Sequence, residues 1–174
     1  MERKGAVTFK GSPLTLIGNA VKSGTKAPDF TVIDNTLKSV VLKDFAGKIK
    51  LISVTPSLDT PVCDTQARRF NVEASKLPDS VAVINISMDL PFAISRFCAT
   101  AGIERVKTFS DYKEASFGQA YGVLIKELRL LARAIFLIDA SDTVRYCEIV
   151  GEMTSSVDFD KALEETARLL AAKG

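Results

Sequence analysis

The run from Leu51 to Asn71, LISVTPSLDTPVCDTQARRFN, constrains the fold of this chain more than any other stretch. Leu51, Ile52 and Val54 suit a buried strand, and Pro56 breaks it. The chain turns through Ser57, Leu58 and Asp59, then delivers Thr60, Pro61, Val62 and Cys63 to the start of a helix. Spacing predicts that the helix runs from Asp64 to about Leu77, because Ala67, Phe70, Ala74 and Leu77 recur at helical intervals. Val81–Ser87, VAVINIS, is a continuous apolar run of the kind found in strands covered on both faces. Strand, helix and buried strand form a β–α–β unit, which makes the core a mixed α/β sheet.

The remaining pattern fits one domain over residues 1–174, with no repeat or linker to divide it. Thr8 to Ile17 reads as an N-terminal hairpin around Gly11-Ser12-Pro13. TVIDN and KSVVLKDF form a second hairpin across Asn35-Thr36-Leu37. Pro91 opens a helix that ends near Gly102, and Glu114 to Tyr121 holds one or two helical turns. Ala134–Ile138 and Thr143–Val150 make a strand pair, and a last helix from about Asp158 to Ala172 carries Phe159, Ala162, Leu163, Thr166, Leu169 and Leu170 on one face.

Cys63 falls in the first turn of its helix, where backbone N–H groups lack intrahelical partners and the dipole favours negative charge. A free thiol ionises near pH 8.5, so a few per cent is thiolate at pH 7, and making the thiolate dominant takes roughly 3.4 kcal/mol. A helix N-terminus supplies at most about 2 kcal/mol. A nucleophilic cysteine here therefore needs a hydroxyl, which Thr60 can provide, and a cation from elsewhere. The chain has no histidine, which excludes Ser-His-Asp and Cys-His catalysis and histidine-ligated haem within one chain. Arg133, directly before the apolar strand AIFLI, is a candidate for the cation, since a charge at such a place is costly unless paired or at a mouth, although on the residues alone an arginine capping a strand edge fits better. Arg129 competes with it, while Arg68 and Arg69 suit an exposed helix face.

Pro56, Thr60 and Cys63 reproduce a Pro-x-x-x-Thr-x-x-Cys signature, and with the wider string SLDTPVCDTQARRFN the chain resembles the peroxiredoxins, in particular the bacterial thiol peroxidase branch of atypical two-cysteine members. The resemblance begins near the N-terminus and implies a thioredoxin-like (peroxiredoxin) fold with an N-terminal β-hairpin extension. It implies that Cys63 is the peroxidatic nucleophile and Cys98, in SRFCAT, the resolving cysteine of an intramolecular disulfide. Thr60 and Arg133 match the family's activating residues, and Pro56 and Pro61 shape the substrate site. The implied reaction reduces hydrogen peroxide and organic hydroperoxides, with thioredoxin as reductant and a homodimer as the assembly. No metal, haem or flavin is needed. The rival reading is a thiol–disulfide exchange or redox-sensing protein that uses the same cysteines without peroxidase turnover.

Composition narrows the setting. Net charge is +2 with no long basic run, so no nucleic-acid or anionic-membrane partner is expected. No apolar stretch reaches about 18 residues, and nothing near Met1 reads as an export signal. Three cysteines do not form a secreted disulfide framework, so a cytoplasmic setting is expected. Cys147 alternates within a strand and is expected to pack as a small hydrophobe.

Overall fold

In the computed structural model, which describes residues 1–172, apolar runs that avoid both proline and glycine become the centre of one sheet. Strands β1 (Glu2–Phe9), β2 (Ser12–Ile17), β3 (Thr31–Ile33), β4 (Ser39–Val41) and β5 (Ile49–Val54) come first. They are followed by α1 (Pro61–Ala74), β6 (Val81–Ser87), α2 (Pro91–Ala101), β7 (Lys107–Ser110), α3 (Ser116–Ala120) and β8 (Leu124–Ile125). β9 (Ala134–Ile138), β10 (Val144–Ile149) and α4 (Phe159–Ala172) complete the chain. A seven-stranded sheet has the order β10-β9-β5-β6-β7-β3-β4, with β5, β6 and β7 parallel and β9 antiparallel to β5. β1, β2 and β8 form a separate three-stranded sheet.

β5 and β6 are buried along their whole length, with Lys50, Ser53 and Asn85 enclosed among their apolar residues. Side chains alternate between two cores. Ile49 and Leu51 pack with Ala67, Phe70 and Ile94 on the side of α1, α2 and α4. Ile52 and Val54 pack on the opposite side with Leu14, Leu16, Phe117 and Tyr121. Phe70 of α1 meets Phe159 of α4 edge to face at 4.9 Å between centroids, a contact worth about 0.5–1.5 kcal/mol beyond its buried area. None of the helices among the described residues is long and apolar enough to cross a membrane.

Two boundaries differ from the sequence reading. The N-terminal hairpin begins at Glu2 and turns at Lys10-Gly11, not around Gly11-Ser12-Pro13. Both turn residues have positive φ, 49° and 79°, a conformation for which lysine gives no sequence signal. α1 starts at Pro61 rather than Asp64 and ends at Ala74. Proline at the first helical position costs nothing because that N–H would be unpaired anyway. Cys63 thus remains in the first turn, as expected. The turn after α2 follows the sequence reading: Gly102 adopts φ 67°, and the N–H of Ile103 reaches back 3.0 Å to the Cys98 carbonyl.

Candidate active site

β5 leads directly into the loop that carries the signature. Pro56 and Leu58 are buried, and the loop is fixed from outside by Asp89, in the turn between β6 and α2. Its carboxylate accepts from Ser57 Oγ at 2.7 Å and the Leu58 N–H at 2.8 Å. Cys63 sits at the third helical position, fully buried and as a free thiol. Thr60 is the helix N-cap, but its hydroxyl donates to the Ser57 carbonyl at 3.1 Å. The expected aim of that hydroxyl at the sulfur is therefore not what the structure shows; it closes the loop instead.

Arg133 lies immediately before β9. Because β9 runs antiparallel to β5, with Val54 opposite Ala134, the start of one strand lies beside the end of the other. Arg133 is 2% exposed, so its charge must be met by acceptors. Nη1 donates to Gln66 Oε1 at 2.9 Å, and Nε and Nη2 donate to the Met153 carbonyl at 3.3 and 3.2 Å. Gln66 stands one turn after Cys63 on α1, and its amide nitrogen donates to Ser53 Oγ at 2.7 Å. Asn85 Nδ2 reaches the same hydroxyl at 3.3 Å, and Thr55 Oγ1 reaches Asn85 Oδ1 at 3.4 Å. A buried polar chain thus joins the arginine to the helix of Cys63 and to both central strands.

Gln66 escaped the sequence reading. Its signal was present: a polar residue on the apolar face of α1, between Cys63 and Phe70, that only a buried partner can satisfy. Arg129, the competitor for the cation, is exposed in the turn after β8 at positive φ of 54°. Arg68 and Arg69 are exposed and pair with Asp64 and Asp160.

Pro56, Thr60, Pro61 and Arg133 all line one cavity of about 370 Å³, whose other walls include Phe9, Leu128, Leu130 and Met153. Cys63 is not among the lining residues, although its neighbour Val62 is. Cys98 is elsewhere. It occupies the last turns of α2, half-buried, with Sγ 3.6 Å from Thr108 Oγ1 of β7. Burial pushes its thiol up, and the Thr108 contact offsets this in part. No disulfide joins the cysteines. Cys147, on the outer strand β10, is half-buried with Sγ 3.5 Å from the Val21 carbonyl; burial raises its thiol too.

A signature cysteine in a helix's first turn, joined through Gln66 of the same helix to a buried arginine, defines a class. The sequence matches the Redoxin family over residues 22–164, and the chain belongs to that family. Within it, the chain is 58% identical over 159 residues to the thiol peroxidase of Halalkalibacterium halodurans, covering 91% of this chain and 95% of that protein. It is 52% identical over 164 residues to the thiol peroxidase of Bacillus subtilis, with coverage of 94% and 98%. The crystal structure of a peroxiredoxin-like protein from Aquifex aeolicus superposes with a TM-score of 0.88 at 36% identity, covering 95% of this chain and 97% of that one.

Proposed function

We propose that this chain is a thiol-dependent peroxidase in which Cys63 reduces hydroperoxides and Cys98 resolves the product. The reading is carried by the buried Gln66 bridge, which ties a guanidinium to the first turns of the helix that bears Cys63. An arginine held at 2% exposure serves no solvation purpose, whereas a peroxide displacement moves negative charge between two oxygens and needs a fixed cation. A thiol–disulfide exchange protein has no such need, and so the rival reading is not favoured.

The Cys63 thiolate attacks the terminal oxygen of the hydroperoxide. The O–O bond breaks, Cys63 becomes a sulfenic acid, and the departing alkoxide or hydroxide takes a proton to leave as alcohol or water. Arg133 and the backbone N–H groups of the first turn hold the peroxide. Pro56 and Pro61 form the wall, and Phe9, Leu128 and Leu130 suit the carbon part of an organic hydroperoxide. The Cys98 thiol then displaces water from the sulfenic acid to form a disulfide, which thioredoxin reduces. A homodimer in the cytoplasm completes the reading. Leu90 and Phe92, exposed at the start of α2, support the dimer, which sedimentation velocity reads directly.

The test is peroxide consumption coupled to thioredoxin and its reductase. Cys98→Ser is expected to consume one equivalent of peroxide quickly and then stop. Continued turnover would remove Cys98 from the cycle, and no rapid first equivalent would favour the exchange reading.

A disulfide requires Cα atoms roughly 4.4–6.8 Å apart. Here Cys63 starts one helix and Cys98 sits near the end of another, packed against β7. Asn71, in the third turn of α1, binds the Gly102 carbonyl and the N–H groups of Glu104 and Arg105 at 2.9–3.1 Å. Oxidation is therefore expected to unwind the first turn of α1 and the last turns of α2, while the Asn71 end holds. Hydrogen exchange should show amides near Cys63 and Cys98 losing protection in the disulfide form and those near Phe70 keeping it. Equal protection in both redox forms would refute the unwinding.

A further inference from the structure

Glu152 lies in the loop between β10 and α4, and no part of the reaction described above uses it. Its carboxylate nevertheless collects an unusual number of donors for a side chain near the surface. Oε2 accepts from Thr8 Oγ at 2.7 Å and the Gly11 N–H at 3.1 Å. Oε1 accepts from the Lys10 N–H at 3.0 Å, the Thr154 N–H at 3.2 Å and Thr154 Oγ at 2.9 Å. These donors hold the carboxyl down to a pKa of about 2, so it is charged wherever the protein works.

The donors come from two places. Thr8, Lys10 and Gly11 belong to the tip of the N-terminal hairpin, and Thr154 belongs to the loop of Glu152 itself. The backbone repeats the junction: the Thr8 N–H reaches the Gly151 carbonyl at 2.7 Å, and the Met153 N–H reaches the Thr8 carbonyl at 2.9 Å. Met153 is thus clamped through its N–H to the hairpin, and its carbonyl is the group that receives Nε and Nη2 of Arg133. With Gln66 holding Nη1, the guanidinium plane is fixed from both sides. One N–H on Nη1 and one on Nη2 are then left without a protein partner among the described residues. These are the donors a peroxide would meet.

We propose that Glu152 is a positioning residue for the peroxide reaction: its carboxylate fastens the hairpin to the Gly151–Thr154 segment and so fixes the Met153 carbonyl that sets the plane of the Arg133 guanidinium. The proposal rests on the reading of Cys63 and Arg133 as the reacting pair. It also gives the hairpin a function, since Phe9 at its tip and Met153 and Thr154 beyond Glu152 share the walls of the cavity at Arg133. Both oxygens of Glu152 face donors. Glu152→Gln therefore sets an amide N–H₂ against at least one N–H or hydroxyl while keeping the size of the side chain.

The test is a double-mutant cycle on the rate at which hydrogen peroxide oxidises Cys63, read by rapid quench, thiol alkylation and mass spectrometry. Wild type, Glu152→Gln, Arg133→Met and the double variant are compared well below their melting temperatures. Glu152→Gln is expected to slow oxidation by about tenfold with Arg133 present and by less than about twofold in the Arg133→Met background. A residue with a merely structural role would slow both backgrounds alike, and that additivity would overturn the proposal. An unchanged rate in Glu152→Gln, with Arg133→Met slow, would overturn the proposal alone. An unchanged rate in Arg133→Met would overturn it together with the reading on which it rests. If Glu152→Gln fails to fold, Thr8→Val replaces it in the cycle. It removes one donor and keeps the charge, with an expected loss of about threefold that must likewise vanish without Arg133.

Discussion

Cys63→Ser is expected to reduce peroxide turnover by about 10⁴-fold or more, to the level of the buffer reaction. A serine hydroxyl is not ionised near neutral pH, and the group that attacks the peroxide must be an anion. Nothing else in the site can replace it, because Thr60 is engaged with the Ser57 carbonyl and the chain has no histidine to act as a base. The fold should survive. Oxygen for sulfur is a small change of volume, and the first turn of α1 is fixed by Pro61 and by the bonds of the loop to Asp89, not by the thiol. Peroxide consumption and the melting temperature, measured on the same preparation, check both halves. Residual turnover within tenfold of wild type would mean that another thiol carries the reaction.

Arg133→Met is expected to slow the first peroxide step by about 10²–10³-fold. The variant keeps most of the length and packing of the side chain and removes every N–H. Its cost in stability should be smaller than its cost in rate. Gln66 Oε1 loses one donor and the Met153 carbonyl two, at about 1–3 kcal/mol for each buried acceptor, but a desolvated charge disappears at the same time. Arg133→Lys separates charge from shape. An ammonium keeps the positive charge but cannot span Gln66 and Met153 with one planar fork, so only part of the lost rate should return. Stopped-flow or competition rates for hydrogen peroxide, set beside thermal unfolding, decide the matter. A loss of rate no larger than the loss of folded protein would make Arg133 a structural residue.

What could be read in the sequence was whatever depends on local pattern. VAVINIS reads as a doubly covered strand because every position but Asn85 is apolar or small, and β6 is buried throughout. Pro91 and Gly102 bracket α2 because each residue has a backbone preference that only a helix end uses. The strand at Ala134–Ile138 was equally plain, and with it the anomaly of a charge immediately before an apolar run. The partners of that charge were not readable. Gln66 and Met153 are far from Arg133 along the chain, and a carbonyl has no sequence signature at all. The same reason hid Glu152, one carboxylate among many until the hairpin folds against it. The direction of the Thr60 hydroxyl was misjudged because spacing places a residue on a turn but does not choose among the acceptors within reach. β8, only two residues long, was too short for any periodicity to register.

The antiparallel ladder between β5 and β9 has a consequence for how this protein can vary. It pairs Ser53 with Ile135 and Val54 with Ala134, and so acts as a ruler between the end of one strand and the start of the other. Insertions in the turn from Lys126 to Leu130 lie outside that ruler and should leave the reacting groups where they are. One residue added within β9 would shift the ladder by a single step and carry the guanidinium to the opposite face of the sheet. Loops here can drift in length, whereas the count of residues across a few hydrogen-bonded rungs cannot.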